Sequence, residues 1–201
     1  MNPTPEHPDA QKSATAQSDE LLMLAFCRGS KDAFTELFSR YKQPLFGFFR
    51  RRLADSAQAE ELTQETFLAV LRGSARYEPS ALFRTYLYAI GLKILRAHRR
   101  KAAFRATFLG TAHESREPIS EPATHEIVLR EALGKLERHE REVLLLREFE
   151  QLSYAEIAEV LHMPVNTVRS RLFRARMALR DLLAAPVAKP ASELTPSEGC
   201  V

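Results

Sequence analysis

Cysteine is nearly absent from this sequence: Cys27 and Cys200 are the only two in 201 residues and stand far apart. That excludes a disulfide framework and a thiolate metal site, and it fits a reducing cytosol. Glycine is scarce too, at seven, and no run of alternating β-branched residues occurs, so a sheet is not expected. No uncharged stretch approaches the ~18 apolar residues of a membrane span, and the first eighteen residues hold no apolar segment of the secretory type. These absences predict a soluble, cytoplasmic, all-α protein without membrane insertion.

Charge of one sign is lacking as well. Lysine and arginine number 29 against 26 acids, a net charge of +3, which excludes a uniformly basic nucleic-acid binder and makes position decisive. The cations fall in three clusters. Arg40, Lys42, Arg50, Arg51 and Arg52 form one, Lys93, Arg96, Arg99, Arg100, Lys101 and Arg105 a second, and Arg169 to Arg180 the third. Three such clusters point to a polyanionic partner.

Apolar periodicity divides the chain. Residues 1–18 hold Pro3, Pro5 and Pro8 and no buriable core, so a disordered tail is expected. Over 19–108 apolar residues recur at helical spacing: Leu21, Leu22, Leu24 and Ala25, then Phe34, Leu37, Phe38, Tyr41 and Leu45, then Leu62, Phe67, Val70 and Leu71. "GTAHESREPISEPAT" opens a flexible linker over 109–125. A second helical block, 126–183, carries Leu129, Leu133 and Leu136 on one stripe and Val143, Leu144, Leu146 and Phe149 on the next. Pro186, Pro190 and Pro196 mark a disordered tail over 184–201. The expected architecture is two small helical domains joined by a linker.

The second block contains "SYAEIAEVLHMPVNTVRSRLFRAR" (153–176). Ser153 followed by Glu156 is a capping box, which satisfies free backbone N–H groups at a helix start. Ile157, Ala158, Leu161 and Val168 supply the contacts two short helices need across a tight turn, filled here by His162-Met163-Pro164. Histidine is one of the few residues besides glycine enriched at positive φ. Pro164, Asn166 and Thr167 signal the next helix. On that helix Val168, Leu172 and Ala175 share the inner face, which leaves Arg169, Ser170, Arg171, Phe173, Arg174 and Arg176 facing outward. Guanidinium groups pair with guanine O6 and N7 or grip phosphates, and a helix fits the major groove, so this reads as a DNA recognition helix. One such module binds weakly alone and needs a dimer partner or a tether.

In the first block, "AEELTQETFLAVL" (59–71) puts Ala59, Leu62, Thr66, Phe67 and Val70 on one face and Glu60, Glu61, Gln64, Glu65 and Leu68 on the other. In "ALFRTYLYAIGLKILRAHRRK" (81–101), Phe83, Tyr86 and Tyr88 run into the second basic cluster, a combination suited to stacking and gripping unpaired bases. Enzyme signatures are missing. His-Glu pairs occur at 113–114, 125–126 and 139–140, but Glu117, Leu129 and Val143 stand four beyond each histidine, so no zinc-protease motif exists. No phosphate loop or nucleophile elbow occurs, and no catalytic residue, metal or cofactor is implied.

Together the two blocks resemble the extracytoplasmic-function (ECF) sigma factors of bacterial RNA polymerase, over roughly residues 20–183. "AEELTQETF" is similar to the region-two helix that binds the clamp of the largest polymerase subunit. "FRTYLYAIG" resembles the segment that melts and reads the minus-10 element, and "LREFEQLSYAEIAEVLHMPVNTVRSRLFRAR" resembles region four, which reads the minus-35 element. The resemblance implies core RNA polymerase and promoter DNA as partners, and an anti-sigma protein as a further one that no residue here identifies. It implies polymerase contact through Glu61, Gln64 and Glu65, and minus-10 contact through Arg76, Tyr77, Ser80, Phe83, Tyr86, Lys93 and Arg96, with the loop from Arg76 to Leu82 holding a flipped base. Minus-35 contact falls to Arg169, Ser170, Arg171, Phe173, Arg174 and Arg176. Tyr86, Ala89, Leu92 and Lys93 depart from the family's Trp, Arg, Arg and Asn, Asn166 replaces a common glycine, and Glu137 a common proline. A stand-alone dimeric helix-turn-helix regulator, with the first block as a sensor, is the alternative class.

Overall fold

The computed structural model describes residues 17–109 and 124–184; most of the expected tails and linker lies outside them. Eight α-helices follow in order among the described residues: α1 (Asp19–Cys27), α2 (Lys31–Arg50), α3 (Ser56–Gly73), α4 (Phe83–Leu109), α5 (Thr124–Lys135), α6 (Arg138–Glu148), α7 (Tyr154–Leu161) and α8 (Val165–Ala184). A single 3₁₀ turn, Ser74–Arg76, lies between α3 and α4, and no strand occurs in these residues.

Short polar side chains start the helices of the first group. Ser18 and Ser30 accept from the N–H groups of Leu21 and Ala33 at 3.3 Å, and Asp55 accepts from Ala57 at 2.8 Å. Each satisfies a donor the first helical turn leaves free. Gly29 turns α1 into α2 at φ +102°, where a side chain would be strained.

Helices α1 to α4 enclose Met23, Leu37, Leu45, Phe48, Phe49, Leu62, Leu87 and Leu95. Phe48 and Phe49, fully buried with ring centroids 5.0 Å apart, are central, although neither stands on the apolar stripes named above. Leu21, expected inside, is 54% exposed, because the helix phase turns Leu22 and Met23 inward instead. Gly91 lets α4 approach α2: a Cβ there would lie 3.4 Å from Leu45 and Phe49.

Helices α5 to α8 bury Val143, Leu144, Leu146, Leu152, Ile157, Val160, Val168 and Leu172. Phe149 is not part of this core as expected; it is 46% exposed, under the Arg51 guanidinium at 4.7 Å.

The two groups pack directly on each other. The start of α4 meets α7, where Arg84 gives Nε and Nη2 to Glu156 at 2.6 and 2.8 Å and Thr85 adds its hydroxyl at 3.0 Å. Nearby, Arg51 Nη2 reaches both oxygens of Glu150 at 2.9 and 3.0 Å, and Arg52 pairs with Glu142 at 2.7 Å. One apolar cluster runs through both groups.

This packing corrects the reading of the first basic cluster as a surface for a polyanion. Arg51 and Arg52 are neutralised by acids from the other helical group, Arg40 pairs with Asp19 and Glu36 at 2.7 and 2.8 Å, and Arg50 donates to the carbonyl of Ala54 at 2.7 Å. The partner acids lie 90 to 99 residues away for Arg51 and Arg52, beyond any local pattern.

Candidate nucleic-acid and polymerase interfaces

The junction between α7 and α8 is built from local rules. Ser153 Oγ accepts from the Glu156 N–H at 3.3 Å, and the Glu156 carboxylate accepts from the Ser153 N–H at 2.9 Å, completing the capping box. His162 ends α7 in the left-handed region at φ 54°, the conformation the missing glycine left to it. Pro164 stands one place earlier than a first helical residue: its carbonyl accepts from Thr167 and Val168 at 2.9 and 3.2 Å, and Val165 opens α8.

Val168, Leu172 and Ala175 face the core. Arg169, Ser170, Phe173, Arg174 and Arg176 line the outer face, with Phe173 66% exposed. Arg171 departs from the expected outward set. It is half-buried with Nη1 3.7 Å from the Met163 sulfur, because its position on the helix turns it back toward the α7–α8 turn. Two outer arginines meet carboxylates that the sequence pattern did not reveal. Arg174 Nε donates to Glu140 Oε1 at 2.8 Å, and Arg176 donates through Nε and Nη2 to Glu148 Oε1 at 3.1 and 2.6 Å. Both acids lie on α6, and only the helix packing brings them to α8.

Glu156 serves two structures at once. Burial disfavours its charged form, yet hydrogen bonds from Arg84, Ser153 and Thr85 outweigh that and hold its pKa at about 2. Glu137, in the position of a common proline, caps α6 by accepting from the N–H groups of His139 and Glu140 at 2.9 and 3.1 Å. Its contacts with the His139 side chain and backbone lower its pKa to about 2.

In the first group, Glu61, Gln64 and Glu65 form an exposed row on α3 with Leu68, opposite the buried Ala59, Leu62, Thr66, Phe67 and Val70. Arg76, Ser80 and Lys93 are exposed, and Arg96 is half-buried. Tyr77 and Tyr86 are half-buried edge to face, centroids 5.2 Å apart, and burial pushes the Tyr77 hydroxyl up to about 12. Phe83 is the clear disagreement with the expected minus-10 set. It is fully buried against Tyr41, with its N–H donating to Glu20 at 2.9 Å, so its ring is core and offers no face to a base. Leu92, at one of the departures from the family pattern, is buried as well, in keeping with an apolar residue there.

Residues 37–105 match Sigma-70 region 2, and residues 127–179 match Sigma-70, region 4. The RNA polymerase sigma-H factor of Pseudomonas aeruginosa is 33% identical over 184 residues, 84% of this chain and 95% of that one. The chain belongs to the ECF sigma-70 family. The ECF RNA polymerase sigma factor SigC of Mycobacterium tuberculosis is 32% identical over 176 residues, 83% of this sigma factor and 94% of its relative. Among solved structures, CnrH in complex with the cytosolic domain of CnrY superposes with a TM-score of 0.64 at 27% identity, covering 85% of this chain and 99% of that one. The sigma factor RpoE from Bartonella quintana, in complex with the anti-sigma factor NepR, shares the fold with a TM-score of 0.67 at 23% identity, over 78% of this chain and 99% of its own. The sigma factor is therefore a transcription initiation factor, and the dimeric-regulator alternative gives way. No described helix is long and apolar enough to cross a membrane.

Proposed function

We propose that this sigma factor docks on core RNA polymerase through the α3 row of Glu61, Gln64 and Glu65. It reads the minus-10 element with the loop from Arg76 to Leu82 and with Tyr86, Lys93 and Arg96 on α4, and the minus-35 duplex with Arg169, Ser170, Phe173, Arg174 and Arg176 on α8. Phe83 and Arg171 support these two surfaces from behind. The observation that carries the reading is the outer face of α8, where arginines flank an exposed phenylalanine beside a capped turn. Each surface alone is small, so specificity comes from polymerase holding both at a fixed spacing, while capture of unstacked bases drives strand opening. The chain works in the cytoplasm, carries no reaction of its own and needs no cofactor. An inhibitory protein partner, of the kind NepR is for RpoE, completes the proposal.

Run-off transcription with core polymerase, with and without this protein, on genomic fragments of its source organism tests the reading. Transcripts that start at defined sites only when the protein is present are expected. Tight binding of the protein alone to a palindrome, with no transcript and no complex with core, would overturn it.

A further inference from the structure

The arginines of α8 are not held alike. Arg176 gives both Nε and Nη2 to Glu148 and so occupies one edge of its guanidinium. Arg169 meets Asn166 at 3.5 Å, the limit of a hydrogen bond. Arg174 is fixed through Nε alone, to Glu140 at 2.8 Å, and among the described residues no contact engages its Nη groups. The Arg174 side chain is 60% exposed and the Glu140 side chain only 16%. Glu140 is itself anchored: it lies in the first turn of α6, where its N–H donates to Glu137 and the helix N-terminus favours a carboxylate.

An arginine tied at Nε keeps two parallel N–H groups at its tip, which is the fork that matches guanine O6 and N7. Tying it down before binding removes rotamer entropy that would otherwise be lost on the DNA. The carboxylate behind it also repels phosphates, and this disfavours use of the same arginine as a sequence-blind backbone clamp. We infer that Glu140 is a positioning residue that aims Arg174 end-on at one base pair of the minus-35 duplex, setting sequence discrimination rather than overall affinity. The inference rests on the assignment of α8 to that duplex.

The test uses holoenzyme assembled from core polymerase and full-length protein, on promoters in which each minus-35 base pair is changed in turn. Binding is measured over a salt series and transcription by run-off. Arg174→Ala comes first: it should abolish preference at one base pair. If it weakens every promoter equally or none, the assignment of Arg174 to a base fails, and the inference with it. Given that preference, Glu140→Gln should lower it about fivefold to tenfold at the same base pair. Affinity for unrelated duplex should hold or rise, with a salt dependence steeper by about one counterion as the released arginine finds a phosphate. Unchanged preference in Glu140→Gln, or an equal loss on every sequence, would overturn the inference. The Arg174→Ala, Glu140→Gln double variant guards against a folding defect. With nothing left to aim, it should match Arg174→Ala alone, and a further loss would show that Glu140 acts through the fold.

Discussion

Arg84 on α4 and Glu156 on α7, 72 residues apart, form a two-point ion pair in which the same carboxylate also closes the capping box of the helix-turn-helix. Removing the arginine leaves a carboxylate in a largely dry site with two of its hydrogen bonds gone. Since Arg84 is itself about one-third exposed, the effect should be smaller than for a fully buried pair: Arg84→Ala is expected to destabilise by about 1–2 kcal/mol. Denaturant melts read the loss, and small-angle scattering should show a larger radius of gyration as the two helical groups separate more often.

Acid should act through the same carboxylate. The folded pKa of Glu156 is about 2 against an ordinary 4.5, so a proton binds the unfolded chain more readily than the folded one. Its contribution is complete above the ordinary carboxylate value and is lost as pH falls toward about 2. Glu156→Gln should therefore be less stable than the parent at neutral pH, with the difference shrinking below pH about 4.5. A difference that stayed constant down to pH 2.5 would show that no such shift exists.

Phe83→Ala separates core from contact. The ring is fully buried, and deleting a buried phenylalanine commonly costs about 3–5 kcal/mol. A melt should show that loss, while Phe83→Leu, which keeps most of the volume, should recover the larger part of it and retain promoter opening.

Gln64→Ala combined with Glu65→Ala tests the α3 row. Both side chains are exposed on the face of α3 opposite its buried residues, so the melting temperature should move little. Retention on immobilised core polymerase should fall severalfold. A variant that binds core as well as the parent would place the polymerase contact elsewhere.

Local features were legible in the sequence. The 3.6-residue period fixed which face of α3 and of α8 turns inward, the Ser153 and Glu156 pair marked the start of α7, and His162 stood where a positive φ was needed. Contacts between distant segments were not. Nothing near Arg51 or Arg52 announces Glu150 and Glu142, so paired cations read as a free basic patch. Phe83 carried the same ambiguity, because an aromatic at helical spacing serves a core and a base platform equally well until tertiary packing decides. Glu140 and Glu148 could not be tied to α8 from spacing alone, since the crossing of α6 and α8 sets that register.

The shared use of Glu156 bears on how the chain comes apart. With a continuous apolar cluster through both groups and a helix start that doubles as their fastening, loss of either group exposes surface and stranded carboxylates on the other. Calorimetry on the intact protein should then give one endotherm whose van't Hoff and calorimetric enthalpies agree, and not two independent meltings in series.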